Sequence, residues 1–203
     1  MTTPRRMGAQ DSRTRAALLD VTAQIMIEEG YAAATSRRVA AKAGVKPALV
    51  HYYFRTMDDL FLALFQKGAE ANLKRYEQAL ASDKPLRALW ELSSEPVGTA
   101  LLSEFQALAN HRKAIQAEIA DYAERFRAME VKALAGLLTD AGVSLDLAPP
   151  PAVALIILGV ARILTTEDSL GITTGHAETL ALIERYLEQL EPAAPAADGP
   201  AVP

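Results

Sequence analysis

Cysteine is absent from all 203 residues, which excludes a disulfide framework, a thiolate zinc site and a cysteine nucleophile, and fits a reducing cytoplasm. Histidine is scarce: His51, His111 and His176 stand too far apart for metal-ligand spacing. There is no glycine-rich phosphate loop and no Gly-x-Ser-x-Gly elbow, so neither an enzyme nor a bound cofactor is expected. Glu167 and Asp168 are read as a solvated loop pair. Aromatic residues make up only 6% of the chain, so its core must be largely aliphatic. Long apolar runs are missing too. The longest charge-free stretch in the apolar region, Leu147–Ala161, contains Pro149, Pro150 and Pro151 and falls short of the roughly 20 residues a membrane span needs. Arg5 and Arg6 have no apolar stretch behind them, so residues 1–11 read as a flexible basic arm rather than a secretory signal.

What is present is ordinary globular composition, 50% hydrophobic and 23% charged, with the charge unevenly placed. The net charge is -4, yet residues 1–55 carry nine arginines and lysines against four acids, and the remainder is correspondingly acidic. A basic head on an acidic body is what a chain shows when only its head meets phosphate. Apolar residues recur at helical spacing along nearly the whole chain, and the expected fold class is all-α. The punctuation predicts helices over Ser12–Glu29 with Asp11 as N-cap, Thr35–Ala43, Lys46–Tyr53, and Thr56–Leu80 with Thr56 and Asp59 as a capping box. Further helices are expected over Asp83–Ser93, Glu95–Asn110, Arg112–Asp140 and Pro149–Leu164. The last runs from a cap at Thr173 or Thr174 to Glu191. The Pro- and Ala-rich tail, residues 192–203, is expected to be disordered.

The segment Thr35–Phe54, TSRRVAAKAGVKPALVHYYF, reads as a helix, a glycine turn and a second short helix, the pattern of a helix-turn-helix. Val39, Ala40, Val45, Val50 and Phe54 can lock the two helices together. Arg37 and Arg38 fall in the first turn of one helix and Lys46 at the mouth of the next, where cations oppose the helix dipole. Phosphate would relieve all three positions.

Residues 14–65 resemble the N-terminal domain of the TetR family of bacterial regulators. The resemblance rests on the Gly30-Tyr31 helix end, the Thr35 cap, the Ala43-Gly44-Val45 turn and the Tyr52-Tyr53-Phe54 close. It implies a helix-turn-helix DNA-binding domain over residues 12–56 and a helical ligand-binding and dimerisation domain over 57–191. It further implies a ligand-responsive regulator, a repressor released from double-stranded operator DNA by a small molecule. An architectural DNA-binding protein without an effector is the competing reading.

By position, the resemblance gives Thr35 and Ser36 to phosphate and Arg37 to a guanine edge, for which a guanidinium is well shaped. Lys46, Pro47, Ala48, Leu49, His51 and Tyr52 would face the major groove, with Tyr53 and Arg55 on the backbone. Ala48 and Leu49 offer methyl surface suited to thymine. The family commonly has tyrosine where His51 stands and a phosphate-binding lysine where Met57 stands. Affinity should therefore lean on Arg37, Arg38, Lys46 and the arm.

In the body, Ala152–Leu164 is apolar around most of its circumference and must be covered on two sides. One side suits its own subunit and the other a second copy, through Leu155, Leu158, Gly159 and Ala161, joined by Leu182, Tyr186 and Leu190 of the last helix. The resemblance implies a four-helix homodimer interface there. Trp90, Leu102, Phe105, His111, Phe126, Met129 and Leu137 are candidates to line a pocket for a hydrophobic or amphipathic effector.

Overall fold

The computed structural model describes residues 7–192, with side chains described from Arg13 onward. The basic arm's Arg5 and Arg6 and nearly all of the Pro/Ala tail lie outside that range. Among the described residues the chain is all-α: α1 (Met7–Glu29), a 3-10 turn (Tyr31–Ala33), α2 (Ser36–Lys42), α3 (Pro47–Tyr53), α4 (Met57–Leu80), α5 (Pro85–Ser93), α6 (Pro96–Ala109), α7 (Lys113–Asp140), α8 (Pro150–Ser169) and α9 (His176–Leu190).

Helix ends follow local chemistry. Gly30 closes α1 at φ 83° and Gly44 bends the α2–α3 turn at φ 67°, a backbone region that side-chain-bearing residues rarely enter. At Gly44 an added Cβ would meet nothing within 4 Å, so backbone conformation and not crowding demands glycine. Thr35 caps α2 by accepting from the Arg38 amide, and Pro47 occupies the first turn of α3. The capping box at α4 is reciprocal: the Asp59 amide donates to Thr56 Oγ1 (3.1 Å) and the Thr56 amide to Asp59 Oδ2 (3.0 Å). Thr56→Ala should cost about 1 kcal/mol, visible as a lower urea midpoint with an unchanged slope.

By packing, the chain divides into two compact units, one holding residues up to Arg75 with Glu95–Phe126, the other Tyr76–Ser94 with the chain from Arg127 on. The division does not fall at residue 56, because most of α4, the first half of α7 and all of α6 share a core with the head. Leu18, Ile25 and Met26 of α1, Val39, Val50 and Phe54 of the helix-turn-helix, and Leu60, Phe61 and Phe65 of α4 meet Phe105, Leu108 and Ile115 in that core. Phe65 stacks edge-on against both Phe105 (5.3 Å) and Tyr122 (5.5 Å). The second unit packs Leu86, Leu134, Ala154 and Leu187 around Trp90 and Ile157. There the Glu191 carboxylate accepts from the amides of Leu86 and Arg87 in the first turn of α5, while the Arg87 guanidinium forks onto Glu184.

Three boundaries differ from expectation. α1 begins at Met7, so Asp11 lies within the helix and cannot cap it. α8 continues past Leu164 to Ser169, since Thr165 returns its hydroxyl to the Ala161 carbonyl (2.8 Å) and polar residues fit the helix's exposed side. Glu167 and Asp168 are consequently helical, and Glu167 Oε2 lies 2.9 Å from His176 Nε2. α9 starts after Gly175, at φ 83°, so neither Thr173 nor Thr174 caps it. At 20 residues, α8 also reaches the length of a membrane span, though it carries Arg162, Glu167 and Asp168.

Candidate nucleic-acid interface

α2 and α3 are held face to face by Val39, Ala40 and Val50, all buried, and the turn between them is tied by the Val45 amide donating to the Ala40 carbonyl at 2.9 Å. Fixing one side of α3 inward leaves the other outward. Lys46, Pro47, Ala48, His51, Tyr52 and Arg55 are exposed, while Leu49 and Tyr53 are half-buried. Tyr52 stands 68% exposed, high for so large an aromatic ring, with its neighbour Tyr53 edge-on at 5.1 Å. Val45, Lys46, Ala48, Leu49 and Tyr52 line one shallow, mostly apolar depression. The structure thus gathers most of the expected α3 positions on a single outward surface.

On α2 the two arginines part company. Arg37 is exposed and makes no ion pair among the described residues. Arg38 is committed to Glu29 through Nη2–Oε1 (2.8 Å) and Nε–Oε2 (3.2 Å), a hydrogen-bonded pair that holds the Glu29 carboxyl below its usual range and the guanidinium above. Lys42 is similarly paired with Glu28 at 2.5 Å. Arg38 is therefore not an unrelieved cation at its helix start. Glu29, the last residue of α1, neutralises it, a pairing between residues nine apart that no helical spacing announces. Ser36 is half-buried beside the Thr35 cap. Arg15, which motif reading passed over, lies over the Phe54 ring at 5.1 Å and keeps a cation beside the α3 terminus.

Elements beyond residue 56 also grip this head. Glu104 of α6 accepts from the Tyr31 amide at 2.7 Å, and Arg112 pairs with Asp58 at the start of α4.

The seven residues expected to line a pocket fall in different compact units: Leu102, Phe105, His111 and Phe126 in the first, Trp90, Met129 and Leu137 in the second. Phe105 is plain core at 3% exposure, fixed by the aromatic cluster around Phe65. His111 sits exposed in the turn between α6 and α7, two residues before α7 begins. Met129 and Leu137 line a shallow depression on α7 with Leu80, Lys132 and Asp140.

Of the residues expected at a dimer contact, Leu155, Gly159, Leu182 and Tyr186 are exposed, and Leu158 and Leu190 are half-buried. Ala161 is fully buried within its own unit and cannot meet a second copy. It points inward with Ala154, one heptad earlier. Ile156 and Ile163, which the sequence reading left out, are more than half exposed and extend the apolar face.

Residues 18–64 match the profile described as bacterial regulatory proteins, tetR family. The chain is 29% identical over 120 residues to the HTH-type transcriptional regulator BetI of Rhizobium meliloti (strain 1021), a match spanning 59% of this chain and 56% of that protein. The fold resembles Salmonella enterica GusR, with a TM-score of 0.69 at 15% identity, covering 89% of this chain and 96% of the other. It also resembles a TetR transcription regulator from Haloarcula marismortui ATCC 43049, with a TM-score of 0.55 at 24% identity, covering 89% and 92%.

Proposed function

The chain is TetR-like, and from that premise we propose that it is a cytoplasmic, homodimeric, ligand-responsive transcriptional repressor that leaves its operator when a hydrophobic or amphipathic small molecule binds. DNA binding is assigned to residues 12–56, and effector binding and dimerisation to residues 57–191. The observation that carries the reading is the outward surface of α3. A short helix exposes Lys46, Ala48, His51 and Tyr52 together, beside Arg37, which has no ion pair among the described residues, within the segment that matches the family profile.

On this reading Arg37 reaches a base edge, Ala48 and the rim of Leu49 meet thymine methyl groups, and Thr35, Ser36, Tyr53 and Arg55 hold the backbone. Recognition helices of a dimer must stand about 34 to 36 Å apart, or a multiple of that, to enter successive major grooves. An effector that displaces α4 alters that separation. The Glu104–Tyr31 contact gives α6 a grip on the same head, and Arg112, just before α7, pairs with Asp58 at the start of α4.

The test is selection of duplexes from a random library by the purified protein, followed by affinity measurements across salt. A preferred sequence is expected, together with a linear fall of log affinity against log salt. Absence of both would end the reading. Equal operator affinity with and without a ligand that the protein binds would end its effector half, because a ligand shifts states only by binding them unequally.

A further inference from the structure

In the second compact unit, α4, α7 and α8 bring together four polar side chains that the DNA-facing surface does not use. Arg127 and Glu130 lie one turn apart on α7, with Arg127 Nη1 3.2 Å from Glu130 Oε2; their side chains are only 26% and 5% exposed. Tyr76 of α4 is buried, and burial first, then the charge of Glu130, keeps its hydroxyl protonated. Arg162 of α8 is half-buried and makes no ion pair or hydrogen bond among the described residues. Its charged neighbour is a second guanidinium, that of Arg127. Burial first, and then that like charge, disfavour its protonated form.

Two guanidinium groups and one carboxylate leave one excess positive charge in a site partly withdrawn from water. A guanidinium does not escape by losing its proton, since its ordinary value lies beyond the accessible range. Withdrawing a charge from water is costly unless a counter-charge is hydrogen-bonded to it. Every other arginine of this unit except the exposed Arg185 has such a partner: Arg87 has Glu184, and Arg127 has Glu130. The missing partner must carry one negative charge, match a planar fork, and tolerate apolar neighbours. Leu134 lies one turn beyond Glu130, and Leu158 one turn before Arg162.

We propose that Arg162, backed by the Arg127–Glu130 pair and Tyr76, is the polar end of a small-molecule site that takes an organic carboxylate. This rests on the reading of the chain as effector-responsive only for its biological consequence; the recognition itself follows from the charge imbalance. The apolar remainder of the acid lies along the aliphatic side chains, which narrows the effector from any amphipathic molecule to a monoanionic acid.

The experiment uses the full chain in buffer free of organic acids. Butyrate, octanoate, benzoate and phenylacetate are each compared with the corresponding primary amide, through the melting temperature and the fluorescence of Trp90, the one tryptophan. At least one acid should bind about tenfold more tightly than its amide, the minimum a charge-assisted fork is expected to supply. R162L should abolish that preference and melt no lower than wild type without ligand, because it removes a cation that lacks a counter-ion. R162Q serves if R162L fails to fold, and the wild-type acid–amide comparison decides alone if both fail.

The proposal is overturned if no acid in the set outbinds its amide, or if the preference survives loss of Arg162. It is also overturned if R162L leaves ligand binding untouched and instead changes dimer dissociation, which would make a second copy's carboxylate the partner. Operator affinity measured alongside separates the two readings. Arg162-dependent acid binding without any change in DNA affinity keeps this site and sinks the effector role. Release of DNA by acid and amide alike keeps the effector role and sinks this site.

Discussion

Replacing Ile163 with aspartate is expected to turn the proposed dimer into a monomer at micromolar concentration and to weaken operator binding at least 100-fold. Leu155, Ile156 and Ile163 of α8 and Tyr186 of α9 are each more than half exposed within one chain. Fully burying an aliphatic side chain contributes about 1.5 to 3 kcal/mol, so covering this group accounts for a stable association. A two-fold axis presents the same patch on both copies, so one substitution counts twice. Aspartate removes the apolar contribution and adds a carboxylate that must lose its water without gaining a partner. Loss of DNA affinity follows from geometry, since one head engages only a half-site and the second no longer binds as part of the same molecule. Sedimentation velocity and a duplex titration measure both effects. Val97→Asp, on an exposed residue of α6, is the control and should stay dimeric. A dimeric Ile163→Asp protein, or a wild-type monomer, would refute the assignment.

The second large effect concerns two adjacent arginines that look equivalent in sequence. Arg37→Ala should weaken operator binding by roughly 1 to 3 kcal/mol, about 5- to 150-fold, and relax preference at one base pair. Arg38→Ala should cost much less and change no base preference, because that guanidinium is already spanned by Glu29. Lys46→Ala should weaken all duplexes about equally and lower the salt slope by about one, as removal of a phosphate contact does. Electrophoretic or anisotropy titrations on selected and scrambled duplexes at several salt concentrations distinguish the three. Equal losses for Arg37 and Arg38 would mean that α2 meets the duplex through charge alone.

The part of the fold legible in the amino-acid order is the part governed by short-range rules. Apolar periodicity revealed every α-helix among the described residues. The Thr56–Asp59 capping box, the Gly30 and Gly44 turns and Pro47 at the start of α3 were legible because each is a contact or a dihedral confined to a few neighbouring residues. The start of α1, the end of α8 and the cap of α9 were missed where several helix-compatible residues lie in a row, and local preference among them is worth only tenths of a kcal/mol. The α3 surface was legible for the same local reason: once Val50 points inward, the rest of a two-turn helix has its directions assigned.

Composition, periodicity and the turn motif by themselves determined that this protein is all-helical, with a basic head built around a short exposed helix. Tertiary structure alone decided that Arg38 is matched by Glu29, that Ala161 faces inward while Ile163 does not, and that Arg162 stands near Arg127 with no acid among the described residues to meet it. Helical and turn signals act between residues a few positions apart and survive in the linear order. Charge balance and burial depend on residues such as Tyr76, Arg127 and Arg162, which come from three different helices and become neighbours only when the chain has folded.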